Sequence, residues 1–299
     1  MAASATQSWV DAQSYPFQHN YLQVQGGRMH YVDEGRGEPF LFIHGVPTWS
    51  YLWRHLIRGL SSDYRCVAPD LLGFGLSSHS PDTPQTAYAH CHTIGQLADH
   101  LDLRDITLVL HGFGGPIGLS LAQERLDRVK RIILFNTWMY DISADPAIEK
   151  AGKAFAGGFG HFLFVNMNSS PKLLSQMAGD KSHLSDDFCR AIAGPLENKD
   201  ARECAWSATR QIFEGGPFFN EIWVDRDKLR ETPMLLVWGM KDPVFGEKHL
   251  NRIWHEYPLA DVERIEQAGH LPMEEAPPQV FTALANWLSG VETKPFRLI

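Results

Sequence analysis

Short apolar runs bounded by glycine, proline and aspartate alternate along this chain with stretches of helical spacing. Runs of this length predict buried β-strands, and they fall at Tyr21–Val24, Met29–Asp33, Phe40–Ile43, Cys66–Pro69, Ile106–Leu110, Arg131–Phe135, Met234–Trp238 and Val262–Ile265. Helices are predicted between them, most clearly over Trp49–Leu60 and Tyr88–Leu101. The alternation predicts an α/β fold, with a mainly parallel eight-stranded sheet flanked by helices. Gly26-Gly27 predicts a hairpin between the first two strands, and hence an antiparallel edge.

The alternation stops over residues 138–229, which favour helices and show little strand pattern. We interpret this segment as a helical cap inserted after the sixth strand, with residues 1–137 and 230–299 forming the core. Aromatic residues occur throughout the cap, at Phe155, Phe159, Phe162, Phe164, Trp206, Phe213, Phe218, Phe219 and Trp223. We expect most of them to pack within the cap and a minority to line an apolar pocket at the carboxyl edge of the sheet.

The composition of the chain argues against some classes of binding partner. The chain has 299 residues, of which 44% are hydrophobic and 21% charged, and its net charge is −8. These values are typical of a soluble globular enzyme, and the lack of a basic cluster argues against nucleic acid or an anionic membrane as partner. The four cysteines include no CxxC pair, so we expect reduced thiols and neither a metal nor another cofactor.

The N-terminus and the apolar runs bear on location. Residues 1–18 are polar and lack the apolar stretch of a signal peptide, and no apolar run reaches the ~18 residues of a membrane span. We therefore expect a cytoplasmic protein acting on a small molecule. Whether it is a monomer or a homodimer stays open.

A glycine-rich corner follows the fifth predicted strand. The segment Ile106-Thr-Leu-Val-Leu-His-Gly112-Phe-Gly-Gly-Pro-Ile-Gly118 predicts a buried strand, an abrupt turn and the start of a helix. This context is typical of the nucleophile elbow of α/β-hydrolases. Gly112 stands at the turn and has no side chain with which to attack a substrate. It would also take the positive φ of an elbow almost without strain.

Two residues beyond later strands form a candidate catalytic pair. His270 follows the last predicted strand in a short loop, Gln267-Ala-Gly-His-Leu-Pro-Met273, where a neutral imidazole could accept a proton. A lone loop histidine is more often a surface residue. Asp242 strengthens the case, because a carboxylate just beyond the preceding strand could orient the imidazole and stabilise its charged form. The order elbow, Asp, His is also that of α/β-hydrolases.

A second turn would complete the site. His44-Gly45-Val46-Pro47 closes the third strand, and the backbone N–H groups of Val46 and Phe113 would form an oxyanion hole. The alternative is a strand-end turn that binds nothing.

Taken together, five segments resemble the haloalkane dehalogenase family of α/β-hydrolases. The resemblance runs from about residue 18 to 290 and is weakest in the cap; it rests on His44-Gly-Val-Pro-Thr-Trp-Ser-Tyr-Leu-Trp-Arg54, Asp70-Leu-Leu-Gly-Phe-Gly75, the elbow, Gly239-Met-Lys-Asp242 and Ala268-Gly-His270. It implies an elbow aspartate that displaces halide from carbon to give an ester. A His–Asp pair then activates water to hydrolyse that ester. A tryptophan after the nucleophile, with an asparagine or a cap tryptophan, holds the halide.

Carried over by position, the resemblance makes Asp242 the acid and His270 the base, and it places Gly112 where the nucleophilic aspartate belongs. Phe113 stands at the halide-binding tryptophan, and Val46 at the asparagine of one branch. Neither side chain can donate a hydrogen bond.

Two further positions bear on the assignment. Asn136 is neutral where another branch has its acid, so Asp242 has no obvious rival. His111 matches a residue common before the nucleophile, so we do not expect it to replace the nucleophile.

The departures from the family pattern at Gly112, Phe113 and Val46 leave three hypotheses. Loss of the nucleophile from a cooperating triad typically costs on the order of 10⁴–10⁶ in rate, so ordinary dehalogenation is not expected. The first hypothesis is an enzyme in which His270 and Asp242 act without a covalent intermediate, by elimination, retro-aldol-type cleavage, cyclisation or direct water attack. The second is a dehalogenase-like hydrolase that is inactive unless Gly112 is replaced. The third is a non-catalytic binder of small apolar molecules.

Overall fold

The computed structural model describes residues 8–143 and 145–293, and its central feature is one eight-stranded sheet. The strands are β1 (Asn20–Val24), β2 (Gly27–Glu34), β3 (Pro39–Ile43), β4 (Arg65–Pro69), β5 (Ile106–Gly112), β6 (Val129–Thr137), β7 (Met234–Gly239) and β8 (Asp261–Ile265). Their order is β1-β2-β4-β3-β5-β6-β7-β8. β1 and β2 pair antiparallel, as do β2 and β4, and all the other pairs are parallel. The predicted mainly parallel eight-stranded sheet with an antiparallel edge is confirmed.

Helices cover the sheet and fill the segment between β6 and β7. They are α1 (Arg54–Leu60), α2 (Ala87–His100), α3 (Gly114–Glu124), α4 (Pro146–Phe155), α5 (Gly158–His161), α6 (Ser170–Gln176), α7 (Asp186–Ala193), α8 (Lys199–Glu214), α9 (Gly216–Val224), α10 (Glu247–Glu256), α11 (Pro272–Glu275) and α12 (Pro277–Thr293). The regular elements between β6 and β7 are all helical in the described residues, as the sequence predicts. The division into a core and a separate cap domain stays a prediction.

Alternate side chains of the central strands enter two separate apolar cores. In β3, Leu41 and Ile43 pack into one core, and Phe40 and Phe42 pack into the other. All five residues of β3 are buried, as are all residues of β5 and β7. Parallel strands covered by helices on both faces show such continuous apolar runs. The strands are therefore buried up to the ends at which the candidate site begins.

One helix begins differently from the prediction. The helix expected over Trp49–Leu60 is a 3₁₀ turn at Ser50–Trp53 and becomes α-helical only at Arg54. The backbone N–H of Ser50 donates to Oδ1 of Asp70 at 2.8 Å, which fixes the first turn to the β4 loop.

Candidate active site

Gly112 forms the corner between β5 and α3. Its φ is +52°, in the left-handed region that glycine enters freely and other residues enter with strain. A Cβ atom placed on it would lie 3.6 Å from Cα of Gly45 and 3.6 Å from Nε2 of His270, both ordinary contact distances. At Gly114, by contrast, a Cβ atom would lie 2.2 Å from the carbonyl oxygen of Ile43. The corner is thus tight where α3 meets β3, and it has room beside His270.

His270 and Asp242 lie in adjacent loops beyond β8 and β7 and form a buried pair. The imidazole Nδ1–H donates to Oδ2 of Asp242 at 2.7 Å. The two residues are 4% and 6% exposed. Within the described residues, nothing forms a hydrogen bond with Nε2 of His270, which faces Gly112. The arrangement leaves one imidazole nitrogen oriented by a carboxylate and the other available to a bound molecule.

Asp242 is held ionised by its surroundings. Burial acts to raise the pKa of its carboxyl, but His270 and the backbone donors outweigh burial, so that the pKa lies below its ordinary value. Oδ1 accepts from the N–H groups of Val244 at 2.8 Å and Phe245 at 3.0 Å. Oδ2 also accepts from Nδ2 of Asn136 at 3.0 Å. Asn136, whose neutral side chain left Asp242 without an obvious rival in the sequence, therefore donates to Asp242 in the structure.

The turns that would form the oxyanion hole meet at the Gly112 corner. A Cβ atom on Gly45 would lie 3.2 Å from the backbone nitrogen of Phe113, so the two turns are in direct contact. The turn after β3 is fixed by His44, whose Nδ1–H donates to the carbonyl of Gly45 at 2.9 Å and whose Nε2 accepts from the N–H of Leu71 at 2.9 Å. Val46 and Phe113 both border the cavity described next. Their role as oxyanion donors stays a prediction.

A cavity of about 820 Å³ lies over this corner. Its walls include Gly112, Asp242 and His270 together with apolar residues from the core and from the helices between β6 and β7. Of the aromatic residues expected in the cap, Phe155, Phe164 and Phe213 border the cavity. Others, such as Phe159 and Phe162, are exposed. The prediction that only a minority would reach an apolar pocket agrees with this placement.

Comparison with known proteins identifies the family. The sequence profile of the alpha/beta hydrolase fold family matches residues 38–277. The chain belongs to this family. It is 34% identical over 280 residues to haloalkane dehalogenase 2 of Mycobacterium tuberculosis, covering 92% of this chain and 96% of that protein.

Two further matches of this α/β-hydrolase include one protein with a different name. A cis-3-alkyl-4-alkyloxetan-2-one decarboxylase of Shewanella oneidensis is 28% identical over 288 residues, covering 93% of this chain and 90% of that protein. Among solved structures, haloalkane dehalogenase DatA of Agrobacterium tumefaciens matches with a TM-score of 0.80 and 26% identity, covering 92% of this chain and 97% of that one. Relatives that match this chain over most of its length thus carry the names of both dehalogenases and a decarboxylase.

His111 lies beside the His270–Asp242 pair in this α/β-hydrolase, but its side chain bonds to the backbone. Its Nε2–H donates to the carbonyl oxygen of His270 at 2.8 Å. Burial, and then the neighbouring His270, lower its pKa well below the ordinary value, which favours the neutral ring. Its Nδ1 is buried and has no hydrogen-bond partner in the described residues. The geometry agrees with our expectation that His111 is not a replacement nucleophile.

Glu275 is a site residue that the sequence analysis missed. Its carboxylate accepts from the backbone N–H groups of Gly269 at 3.0 Å, Leu271 at 3.1 Å and Gly179 at 2.7 Å. The N–H of His270 itself donates to the carbonyl of Met177 at 2.9 Å. These bonds fix the loop that carries the imidazole to the segment after α6. The clue in the sequence is weak, because Pro-Met-Glu-Glu resembles an ordinary exposed helix start.

Trp138 is the second residue missed. It is fully buried, borders the cavity, and stacks flat on Phe245 with ring centroids 4.8 Å apart. Phe113 stacks on it from the elbow at 6.3 Å. The three rings form a continuous apolar wall next to Gly112.

The structure also bears on metals and membranes. Across residues 8–143 and 145–293, no three His, Cys, Asp or Glu side chains cluster closely enough to hold a metal ion. In the same ranges, no helix combines the length and apolarity needed to cross a bilayer.

Proposed function

We propose that this α/β-hydrolase is an enzyme in which His270, oriented by Asp242, acts as general base on a small and largely apolar substrate without a covalent intermediate. The observation that carries the proposal is the buried pair itself, with Nδ1 and Oδ2 2.7 Å apart and Nε2 facing Gly112 in the cavity wall. A base in this position could take a proton from a bound substrate or from water.

The proposed mechanism uses residues on both sides of Gly112. His270 Nε2 removes the proton, and Asp242 stabilises the imidazolium that results. The N–H groups of Val46 and Phe113 stabilise an oxyanion as charge develops on the substrate. Gly112 stands at the nucleophile position of the family and cannot form an ester with the substrate. Elimination, C–C cleavage, cyclisation and direct hydrolysis all fit this sequence of events.

The relatives suggest which substrates to test. Their names identify haloalkanes and alkyl-substituted oxetan-2-ones, and both kinds of molecule are small and rich in apolar surface. An apolar cavity of about 820 Å³ is within the range that accepts ligands of this size.

The test is a turnover screen with short haloalkanes, dialkyl oxetan-2-ones, alkyl esters and β-hydroxy ketones. The parent protein is compared with His270→Gln and Asp242→Asn. We expect at least one class to be consumed, and His270→Gln to lower kcat by roughly 10²–10⁴-fold. Asp242→Asn should act in the same direction. Turnover that persists in His270→Gln would contradict the proposal, and so would tight binding of these compounds with no turnover of any.

A second candidate is a dehalogenase-type hydrolase that lacks only its nucleophile. The specific observation in its favour is the room at Gly112, where a Cβ atom would make contacts no shorter than 3.6 Å. Gly112→Asp, alone and with Phe113→Trp, would restore a carboxylate and an indole N–H. Gly112→Asn is the matched control, because it has the same shape without a nucleophilic carboxylate. Halide release by the Asp variants alone would support this candidate, and no halide release from the double variant would refute it.

A further inference from the structure

A second imidazole, that of His249, borders the cavity and has no part in the proposed mechanism. His249 lies in the first turn of α10 and is 4% exposed. Its Nδ1 is buried and has no hydrogen-bond partner among the described residues. A buried polar atom without a partner costs free energy, and an apolar side chain in the same place would not. His249 therefore gives the cavity wall a polar group that the packing of α10 does not require.

Phe245 connects His249 with the site at Gly112. The centroid of its ring lies 5.3 Å from that of His249 and 5.7 Å from that of His270. Both imidazoles are in the wall of the same cavity. The phenyl ring that they share offers no hydrogen-bonding atom. A ligand that contacts both imidazoles must therefore have two polar atoms separated by a hydrocarbon segment.

His249 is suited to a neutral oxygen atom rather than to an anion. Burial, the largest effect, lowers its pKa to about 4, so the uncharged ring dominates at neutral pH. A neutral imidazole donates one hydrogen bond and accepts another, which matches a hydroxyl group. The lysine in the same wall, Lys248, forms an ion pair with Asp145, and its side chain is 75% exposed. Lys248 is thus partnered at the solvent side.

Two other residues of the cavity wall have a buried polar atom without a partner in the described residues: Oγ of Ser170 and Nε1 of Trp138. Ser170 is the first residue of α6, and a serine hydroxyl in a helix can rotate to bond a backbone carbonyl. Trp138 is 0% exposed, and its ring lies flat on Phe245. Neither feature applies to His249, which is therefore the strongest of the three candidates for contact with a ligand.

We propose that His249 determines substrate specificity by forming a hydrogen bond with a second, neutral oxygen atom of a substrate whose reacting group lies at His270. The substrate class is then a bifunctional aliphatic molecule, such as a diol or a hydroxy ketone, whose carbon skeleton passes over Phe245. The inference rests on the proposed function for the group at His270. It is tested by binding and does not require turnover, so the two can fail separately.

The test measures the binding of isomeric diols to the full chain by isothermal titration calorimetry. 1,4-Butanediol, 1,6-hexanediol and 1,8-octanediol are each compared with the 1,2-diol of the same length, which has the same composition but adjacent hydroxyls. We expect at least one terminal diol to bind about tenfold more tightly than its 1,2-isomer. In an evenly apolar cavity the 1,2-isomers would bind more tightly, because their alkyl tails are unbroken. That order at all three lengths, equal affinities throughout, or no binding of any terminal diol would overturn the proposal.

Variants of His249 assign the preference for terminal diols to its ring nitrogens. His249→Phe keeps a ring for the stack on Tyr140, which is 6.0 Å away between centroids, and removes both nitrogens. It should abolish the preference. His249→Gln keeps a donor and an acceptor and should retain part of it. A preference that survives in His249→Phe would show the proposal to be wrong. Circular dichroism of each variant ensures that a loss of binding is not a loss of folding.

Ser170→Ala and Trp138→Phe test the two competing groups in the same way, and both variants should retain the preference. A preference lost in either of them but kept in His249→Phe would place the second oxygen there and overturn the proposal. A preference that depends on His249 in a protein that consumes none of the compounds of the turnover screen would contradict the proposed function alone.

Discussion

Whether the fold has room for a side chain at Gly112 can be tested by measuring how Gly112→Ala changes the free energy of unfolding. Gly112→Ala adds one methyl group whose nearest neighbours would be Cα of Gly45 and Nε2 of His270, both at 3.6 Å. No atom has to move to admit it. The cost is then set by the backbone, because φ at this residue is +52°. A residue with a Cβ pays about 1–2 kcal/mol in this region, and roughly 0.4–1 kcal/mol returns because alanine restricts the unfolded chain.

The expected result is a destabilisation of about 1 kcal/mol, which corresponds to a fall in Tm of roughly 1–2 °C for a chain of this size. Gly112→Asn should cost no more, because asparagine tolerates positive φ better than most residues. Equilibrium unfolding in urea, followed by circular dichroism, gives the free energies.

Gly114→Ala is the matched control at the same corner. Its Cβ atom would lie 2.2 Å from the carbonyl oxygen of Ile43 and 2.7 Å from that of His44, so α3 would have to move away from β3. Overpacking against a rigid backbone should cost roughly 3 kcal/mol or more. If Gly112→Ala proves as damaging as Gly114→Ala, the space beside His270 does not exist. Every variant of Gly112 would then report misfolding rather than chemistry.

Three further predictions concern the groups that hold the site. The folded pKa of Asp242 is lowered because the effect of burial is outweighed, so its ionised form stabilises the fold above pH ~4, and this stabilisation is lost as the pH falls through the folded pKa. In urea unfolding at pH 2–6, the free energy of unfolding of Asp242→Asn should therefore fall less steeply with acid than that of the parent protein. Equal pH dependence of the two proteins would contradict this. Glu275→Gln replaces one acceptor oxygen by a donor, and it should cost about 1–3 kcal/mol and speed hydrogen exchange at the amide of Gly269, whereas unchanged exchange would refute the anchoring role. Thr137→Val removes the hydroxyl that donates to the carbonyl of Gly112 at 2.6 Å, and it should cost a similar ~1–3 kcal/mol by thermal unfolding; a neutral result would mean that this bond does not hold the corner.

The sheet could be predicted because its strands are buried on both faces. In β3 and β7 every position is buried, so the strands appear in the sequence as continuous apolar runs that end at a glycine or a polar residue. The predicted bounds differ from the observed ones by one or two residues, since hydrogen bonding continues past the last apolar side chain. β5 is an example, because pairing with β6 extends to Gly112.

The pairing of His270 with Asp242 could also be predicted, because parallel strands bring their carboxyl ends to one edge of the sheet. The residues that hold this pair in place could not be predicted from the sequence. Glu275 accepts from backbone N–H groups of its own loop and from Gly179, which is 96 residues away, and Asn136 reaches Asp242 from β6. Neither contact produces a periodic pattern in the amino-acid sequence. Backbone amides donate irrespective of the side chain, so their acceptors become visible only once the chain is folded.

The energetics of the pair bear on the choice between an enzyme and an inert scaffold. Burying Asp242 and His270 costs desolvation, and apolar residues of similar volume are often neutral or stabilising at such positions. Here the carboxylate is fully compensated by His270, Asn136 and two backbone donors, whereas Nε2 of the imidazole has no partner among the described residues. A purely structural pair would gain by satisfying both nitrogens within the protein. Nε2 instead lies at the wall of the cavity beside Gly112, which favours a role in exchanging a proton or a hydrogen bond with a molecule bound there.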